Sequence, residues 1–143
     1  MKKGSAVVLR GYFAGRTVGG TLGGSEVGRP KPRCRDWIKC SGTVEIEAIK
    51  RTFGAAAQNV AISATKSMHG HLVGASGALE CAITTLALKH GRIPPTANLT
   101  VPDPVCDLDC VPGVSRDAPD LEIAISNSFA FGGSNATLAL RRA

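Results

Sequence analysis

The feature that most constrains the fold is a long apolar segment at residues 74–91, "GASGALECAITTLALKHG", which follows the short run "NVAISAT" across a glycine-rich turn. The β-branched and apolar residues of the first run are typical of a buried strand. The longer segment is small or apolar on almost every side, which predicts a helix buried all round and closed by Gly91. A strand that leads into such a helix favours a layered α/β domain.

The segments on either side supply the other elements of this domain. In "VEIEAIKRTFG", Ile46, Ile49 and Phe53 recur at helical spacing, and Gly54 stands where a helix would end. "RIPPTANL" is extended because its two prolines exclude helix, and the twenty residues after it predict a loop. "LEIAISNSFAF", "GGSN" and "ATLALRR" then predict a hairpin.

The first 43 residues differ from the rest. Residues 1–42 hold nine Lys and Arg against two acids, whereas residues 43–143 hold eight against nine. Their stretch "GRTVGGTLGGSEVGRPKPRCRDW" is too rich in Gly, Arg and Pro to bury much apolar area. We therefore predict a poorly structured basic leader at residues 1–43, disordered or foreign, in which "GSAVVLRGYFAG" forms at most one short strand. A nucleic-acid-binding arm is the alternative, which the absence of any stacking platform or motif disfavours.

Length and cysteine content indicate where the protein is located and whether it binds a metal. With 143 residues the chain is one ordinary domain, and no apolar run approaches the ~20 residues that span a bilayer. The odd count of five cysteines without framework spacing suggests reduced thiols, and we expect a cytoplasmic protein without a membrane segment. A zinc site from the four cysteines outside the long helix has poor spacing, so no metal and no cofactor is expected; these are Cys34, Cys40, Cys106 and Cys110.

The turn at residues 66–77, "KSMHGHLVGASG", carries candidate chemistry. His71 lies at the helix entrance, where the positive field of unpaired N–H groups favours a neutral ring that can donate a hydrogen bond to a developing oxyanion. Glu80 is the one acid in the apolar helix and needs a partner, for which Lys66 is the natural candidate. A capping histidine, a solvated lysine and an exposed glutamate fit the spacing equally well.

Specific motifs add to this interpretation. "SATKSMHGHLVGASGALE", together with "PPTANL", "CDLD" and "SNSFAFGGSNATL", resembles the C-terminal part of the β-ketoacyl-acyl carrier protein synthases, the elongating condensing enzymes of fatty acid and polyketide synthesis. The resemblance runs over residues 44–142, roughly the last quarter of such an enzyme. It implies a thiolase-like fold of two similar halves, of which residues 44–143 would supply the C-terminal half only, a layered sheet with a buried helix.

The resemblance also implies roles for individual residues. In that family an active-site cysteine takes the acyl chain from acyl carrier protein, and two histidines stabilise the enolate of a decarboxylating malonyl thioester. His71 corresponds to the second histidine and Lys66 to its accompanying lysine, which Glu80 pairs. Phe131 corresponds to the residue that gates the acyl pocket and lends its N–H to the oxyanion hole, and Asn135 to the residue that orders that loop.

The departures from the family pattern limit this inference. None of the five cysteines has the setting of the family's nucleophile, and "RDWIKCSGT" stands where a His-Gly-Thr motif is expected. His69 takes a position more often held by threonine and receives no role. We therefore expect a truncated or frame-shifted synthase tail that is inactive alone. Its family implies acyl carrier protein as partner, a homodimer for the intact enzyme and no nucleic acid; the alternative is a non-catalytic fragment or partner-binding module.

Overall fold

The computed structural model describes residues 5–11, 34–101, 104, 106–130 and 133–143. The chain contains two long helices and one helix of a single turn, together with six strands in the described residues. In chain order the elements are β1 (Ser5–Gly11), α1 (Cys34–Phe53), a 3-10 turn (Gly54–Asn59), β2 (Val60–Ser63), α2 (Lys66–His69), a 3-10 turn (Val73–Ala75), α3 (Ser76–His90), β3 (Arg92–Ile93), β4 (Arg116–Asp117), β5 (Leu121–Phe129) and β6 (Asn135–Arg141).

A four-stranded sheet organises the chain, with strand order β2-β1-β5-β6. β1 is parallel to both neighbours, so that Val7 pairs with Ala61 on one side and with Ala124 on the other. β5 and β6 form the antiparallel hairpin predicted from the sequence. Because β2, β1 and β5 run in one direction, the segments that follow β2 and β5 leave the sheet at the same edge.

The two long helices cover opposite faces of the sheet. Alternate residues of a strand point to opposite faces, and in β2 Ala61 belongs to a different core cluster from Val60 and Ile62. The Ala61 cluster includes Ala87 and Leu88 of α3, and the other includes Ile46 and Ile49 of α1. The domain is therefore a three-layered α/β structure, as expected from the sequence.

The structure differs from the predicted leader in two places. The short strand predicted in "GSAVVLRGYFAG" is confirmed as β1, but it lies between β2 and β5 in the sheet instead of in a poorly structured leader. In addition, α1 begins at Cys34 rather than near residue 44. β1 is defined by backbone pairing with two strands that follow much later in the chain, and such pairing leaves no local period. The rest of the predicted leader, residues 1–4 and 12–33, lies outside the described residues.

The structure also differs from the prediction that the long helix is buried on every side. Its buried residues are Ser76, Glu80, Thr84, Ala87 and Leu88, which share one face. The opposite side, here called the outer face of α3, is exposed and consists of Ala78, Ala82, Thr85 and Leu86. Leu86 is 51% exposed. The sheet therefore covers one side of an all-round apolar helix.

Candidate active site

The turn between β2 and α3 has an unusual backbone. The one-turn helix α2 ends at Gly70, which has φ 77°. Val73 has φ 53°, a left-handed conformation that costs a residue with a Cβ roughly 1–2 kcal/mol and is rare for β-branched residues. Strain of this kind occurs where the surrounding structure imposes a particular backbone direction. The turn therefore holds its N–H groups in defined positions before α3 begins.

Lys66 and Glu80 form an ion pair inside this turn. The side chain of Glu80 is 1% exposed and that of Lys66 14%, which confirms the pairing predicted from the lone acid of the helix. The second carboxylate oxygen, Oε2, has no hydrogen-bond partner among the described residues. Lys66 is therefore the group that compensates the buried charge, and its own ammonium is fixed at the base of the turn.

His71 is held through its Nδ1 atom. The Oγ of Ser76 lies 2.8 Å from Nδ1, and the N–H of Val73 donates to the same atom at 3.3 Å. The N–H of Leu72 donates to Ser76 Oγ at 3.0 Å. Ser76 is a site residue that the sequence analysis missed, because a serine in a run of Gly and Ala carries no signal of its own.

His69 makes separate contacts from His71. Its Nε2 lies 3.2 Å from the Oγ1 of Thr65, and its Nδ1 is buried without a partner in the described part of the chain. The two neighbouring histidines are therefore not a pair.

A second segment supports the turn from the side. Ser67 Oγ donates to the carbonyl of Ala64 at 2.7 Å and accepts from the N–H of Ala97 at 2.8 Å. Thr96 Oγ1 accepts from the N–H of Ala64 at 3.0 Å and donates to the carbonyl of Cys110 at 2.7 Å. The "PPTANL" segment thus ties the turn to the loop before β4. From the sequence this segment was predicted to be extended and was one of the motifs of the resemblance, but the contacts of its hydroxyl groups were not predicted.

The turn meets the end of β5. A Cβ placed on Gly77 would lie 3.7 Å from the Oγ of Ser128, so α3 begins beside the strand that leads into "FAFGGSN". The hairpin turn is closed by the N–H of Ala130, which donates to the carbonyl of Ser134 at 2.8 Å. Asn135 is the first residue of β6 and is exposed. Phe131 lies outside the described residues, so its gating role and the ordering role of Asn135 stay predictions.

A buried acid on α1 also reaches this edge of the sheet. Asn127 Nδ2 donates to Glu45 Oε1 at 3.2 Å, and Thr137 Oγ1 donates to Asn127 Oδ1 at 2.9 Å. Glu45 is buried, and this chain of contacts joins α1, β5 and β6. Glu45 was missed from the sequence, although its i, i+4 relation to Ile49 places it on the buried stripe of the helix.

Two further ion pairs hold the loop before β4. Hydrogen bonding from the Arg116 guanidinium holds the pKa of Asp109 below its usual value, and the N–H of Val111 also donates to that carboxylate. The backbone carbonyl of Asp109 accepts from the N–H of Ile62 at 2.7 Å. Lys50 lowers the pKa of Asp107 in the same way. The two ion pairs fasten the loop to β4 and α1, the backbone hydrogen bond fastens it to β2, and all three have a structural role.

Membrane-spanning helices and metal-binding clusters are both absent from the described ranges. No helix there is long and apolar enough to cross a membrane. No group of three or more His, Cys, Asp or Glu side chains there is placed to hold a metal ion. The zinc hypothesis receives no support from these residues.

Sequence comparisons relate the chain to known proteins. Residues 38–100 match the family described as "Beta-ketoacyl synthase, C-terminal domain". The chain is 48% identical over 119 residues to 3-oxoacyl-[acyl-carrier-protein] synthase 2 of Synechocystis sp., which covers 78% of the chain and 28% of that relative. It is 47% identical over 114 residues to nodulation protein E of Rhizobium sp., covering 75% of the chain and 28% of the relative.

Solved structures show the same likeness. The ishigamide ketosynthase/chain length factor superimposes with a TM-score of 0.68 at 41% identity, covering 73% of this chain and 25% of that one. A type II polyketide ketosynthase in complex with its acyl carrier protein gives a TM-score of 0.66 at 33% identity, covering 69% and 24%. The chain thus spans about a quarter of the length of the proteins it resembles.

Proposed function

This chain belongs to the β-ketoacyl synthase family, whose C-terminal domain it carries, and we propose that it supplies the enolate-stabilising part of a decarboxylative condensation. The substrates would be a malonyl thioester and an acyl thioester carried by acyl carrier protein. The chain spans 28% of the first curated relatives, so activity, substrates and partners are all part of this proposal.

The observation that carries the proposal is the meeting of two motifs at one edge of the sheet. His71 and Lys66 follow β2, the loop of "FAFGGSN" follows β5, and Gly77 of the first motif lies beside Ser128, the residue just before the second. The long separation of these motifs in the chain makes their meeting a property of the fold. A hydrogen-bond donor and a fixed cation at one point are what a developing oxyanion requires.

The chemistry follows from where charge develops. When the bond from the malonyl carboxylate to the α-carbon breaks, carbon dioxide leaves and the electron pair passes to the thioester as an enolate. We propose that the ring N–H of His71 donates to the enolate oxygen while Lys66 adds a positive field. One preorganised donor of this kind is worth roughly 10²–10³-fold in rate. The carbanion would then attack a cysteine-bound acyl group and release the thiolate.

The cysteine nucleophile is the missing part. Cys81 lies within α3, and Cys106 and Cys110 lie in the loop before β4 with contacts to the core cluster of α1. None of these is at a strand-to-helix turn of the described chain. We therefore expect the chain alone to be inactive in condensation, and we propose that the nucleophile comes from outside the described residues.

Partners follow from the same relationship. A related ketosynthase has been solved with its acyl carrier protein, which supports a carrier protein as the partner here. The relatives include synthases named for acyl carrier protein substrates and ketosynthases of polyketide systems, so both pathways are consistent with the chain. The homodimer and the cytoplasmic location remain proposals. The comparisons do not favour a nucleic-acid-binding arm.

The test is a chimera. Residues 44–143 would replace the matching C-terminal part of the Synechocystis relative, and carbon dioxide release from malonyl-acyl carrier protein would be measured. We expect activity, and a fall of roughly 10²–10³-fold for His71→Ala. His90→Ala is the matched control, because His90 is exposed in the last turn of α3. A folded, active chimera in which His71→Ala has no more effect than His90→Ala would refute the proposal.

A further inference from the structure

We propose that Ser76 is a positioning residue that holds His71 as the tautomer with its proton on Nε2. A neutral imidazole has one donor and one acceptor nitrogen, and the tautomer is set by the hydrogen bond made at the other nitrogen. The importance of this tautomer for catalysis rests on the proposed function. The assignment of the tautomer itself rests only on the contacts of the turn.

Backbone donors determine the direction of each hydrogen bond. The N–H of Val73 can only donate, and it points at Nδ1 of His71 from 3.3 Å. The N–H of Leu72 likewise can only donate, and it occupies a lone pair of Ser76 Oγ at 3.0 Å. With that lone pair used, the serine hydroxyl can donate its hydrogen to Nδ1, 2.8 Å away. Two donors thus converge on Nδ1.

Two donors on Nδ1 require an acceptor there. If Nδ1 carried the proton, it could still donate to the second lone pair of Ser76 Oγ, but the N–H of Val73 would face a donor and lose its hydrogen bond. The stable arrangement places the proton on Nε2, with Nδ1 as acceptor. Nε2 is then a donor while the ring is neutral, which is the form that an enolate-stabilising histidine needs.

The place of Ser76 in the fold fixes its hydroxyl beside Nδ1 of His71. Ser76 is 5% exposed and is the first residue of α3. The side chain is therefore anchored on the longer of the two helices that flank the turn. Val73 is held at φ 53°, in the conformation that presents its N–H to the ring. Partners that fix the tautomer of a metal-ligating histidine typically change affinity or activity by about 10–100-fold when they are removed, and we expect an effect of that order for Ser76.

The experiment reads the tautomer directly. The 143-residue chain is labelled with ¹⁵N, and long-range correlations of the histidine ring nitrogens are recorded at pH about 8, above the usual histidine pKa. We expect His71 to show an unprotonated Nδ1 and a protonated Nε2. The signals of the three histidines are assigned with His69→Gln and His90→Gln. A protonated Nδ1 in the wild-type chain overturns the proposal.

Variants distinguish an effect of Ser76 on the tautomer of His71 from an effect on packing alone. Ser76→Ala should shift both ring nitrogens of His71 towards the average of the two tautomers, because only the weaker N–H of Val73 remains. Thr85→Ala is the matched control, because it removes an exposed hydroxyl on the same helix, whose one hydrogen bond within the described residues is to the carbonyl of Cys81. If the alanine variant does not fold, Ser76→Cys keeps the shape with a weaker donor. Unchanged His71 signals in the folded variant would overturn the proposal.

The outcome is independent of the proposed function. The spectra need no substrate, so they test Ser76 even if the chimera is inactive. In an active chimera, Ser76→Ala should lower kcat by about 10-fold or more with little change in KM. A correct tautomer combined with a silent His71→Ala would refute the enolate role and leave the assignment of Ser76 intact.

Discussion

Replacing Lys66 by methionine should be one of the most destabilising single changes in this chain. The carboxylate of Glu80 is 1% exposed, and its Oε2 already has no partner among the described residues. Loss of the ammonium would leave a buried, uncompensated charge, which costs roughly 3–5 kcal/mol. That is a large part of a typical domain stability of about 5–15 kcal/mol.

Replacing Glu80 by leucine should lower the free energy of unfolding by less than replacing Lys66, because the lysine side chain is less buried than the glutamate. Lys66 is 14% exposed, and its flexible stem can bring the ammonium to water when Glu80→Leu removes the partner. We expect about 1–2 kcal/mol for that variant. In the double variant both charges are gone and two apolar side chains pack inside the turn, so its stability should lie within about 1 kcal/mol of wild type.

The assay is urea unfolding, followed by circular dichroism, of the four proteins of a double-mutant cycle: wild type, Lys66→Met, Glu80→Leu and the double variant. Equal m values are required, because a changed slope would mean a changed denatured or native state. The expected signature is that Glu80→Leu rescues Lys66→Met, with a coupling of about 4–7 kcal/mol, which is the sum of the two single costs when the double variant is as stable as wild type. A cost below about 1 kcal/mol for Lys66→Met, or two additive single variants, would show that the pair behaves as an exposed ion pair and would refute the reasoning.

Three other perturbations test the fold. Val8→Pro should destabilise the domain by about 3 kcal/mol or more, because Val8 pairs with Ile62 on one side and Ile125 on the other, and proline removes a ladder hydrogen bond. Equal thermal unfolding of variant and wild type would contradict the central position of β1 in the sheet. Wild type should be more stable than Asp109→Asn at neutral pH, and this difference in the free energy of unfolding should shrink as the pH falls below about 4. The reason is that the hydrogen bond from Arg116 lowers the pKa of Asp109 in the folded state. A difference that stays constant in acid would contradict this. Leu86→Glu should reduce concentration-dependent self-association in sedimentation experiments without changing unfolding, because Leu86 is 51% exposed on the outer face of α3; unchanged association would exclude that face.

The sequence alone determined the features that depend on neighbouring residues. Glu80 is the one acid in an otherwise apolar helix, so its need for a cation followed from the pattern, and Lys66 in the preceding turn was the natural candidate. The hairpin and the end of α3 at Gly91, with φ 59°, followed from turn and cap residues. The motif "SATKSMHGHLVGASGALE" likewise resembles that of the β-ketoacyl synthases, and the matching family model includes it. Each of these signals lies within about twenty residues of chain.

Only the tertiary structure decided which distant segments meet. The central place of β1 depends on backbone pairing with strands that begin at Val60 and Leu121, and such pairing leaves no periodic trace in "SAVVLRG". The contact between Glu45 and Asn127 joins residues 82 positions apart. The hold of Ser76 on His71 is local in sequence, yet it depends on backbone angles that the fold imposes. Hydrogen-bond direction and burial are properties of packed neighbours, so the sequence could name the histidine but not its tautomer.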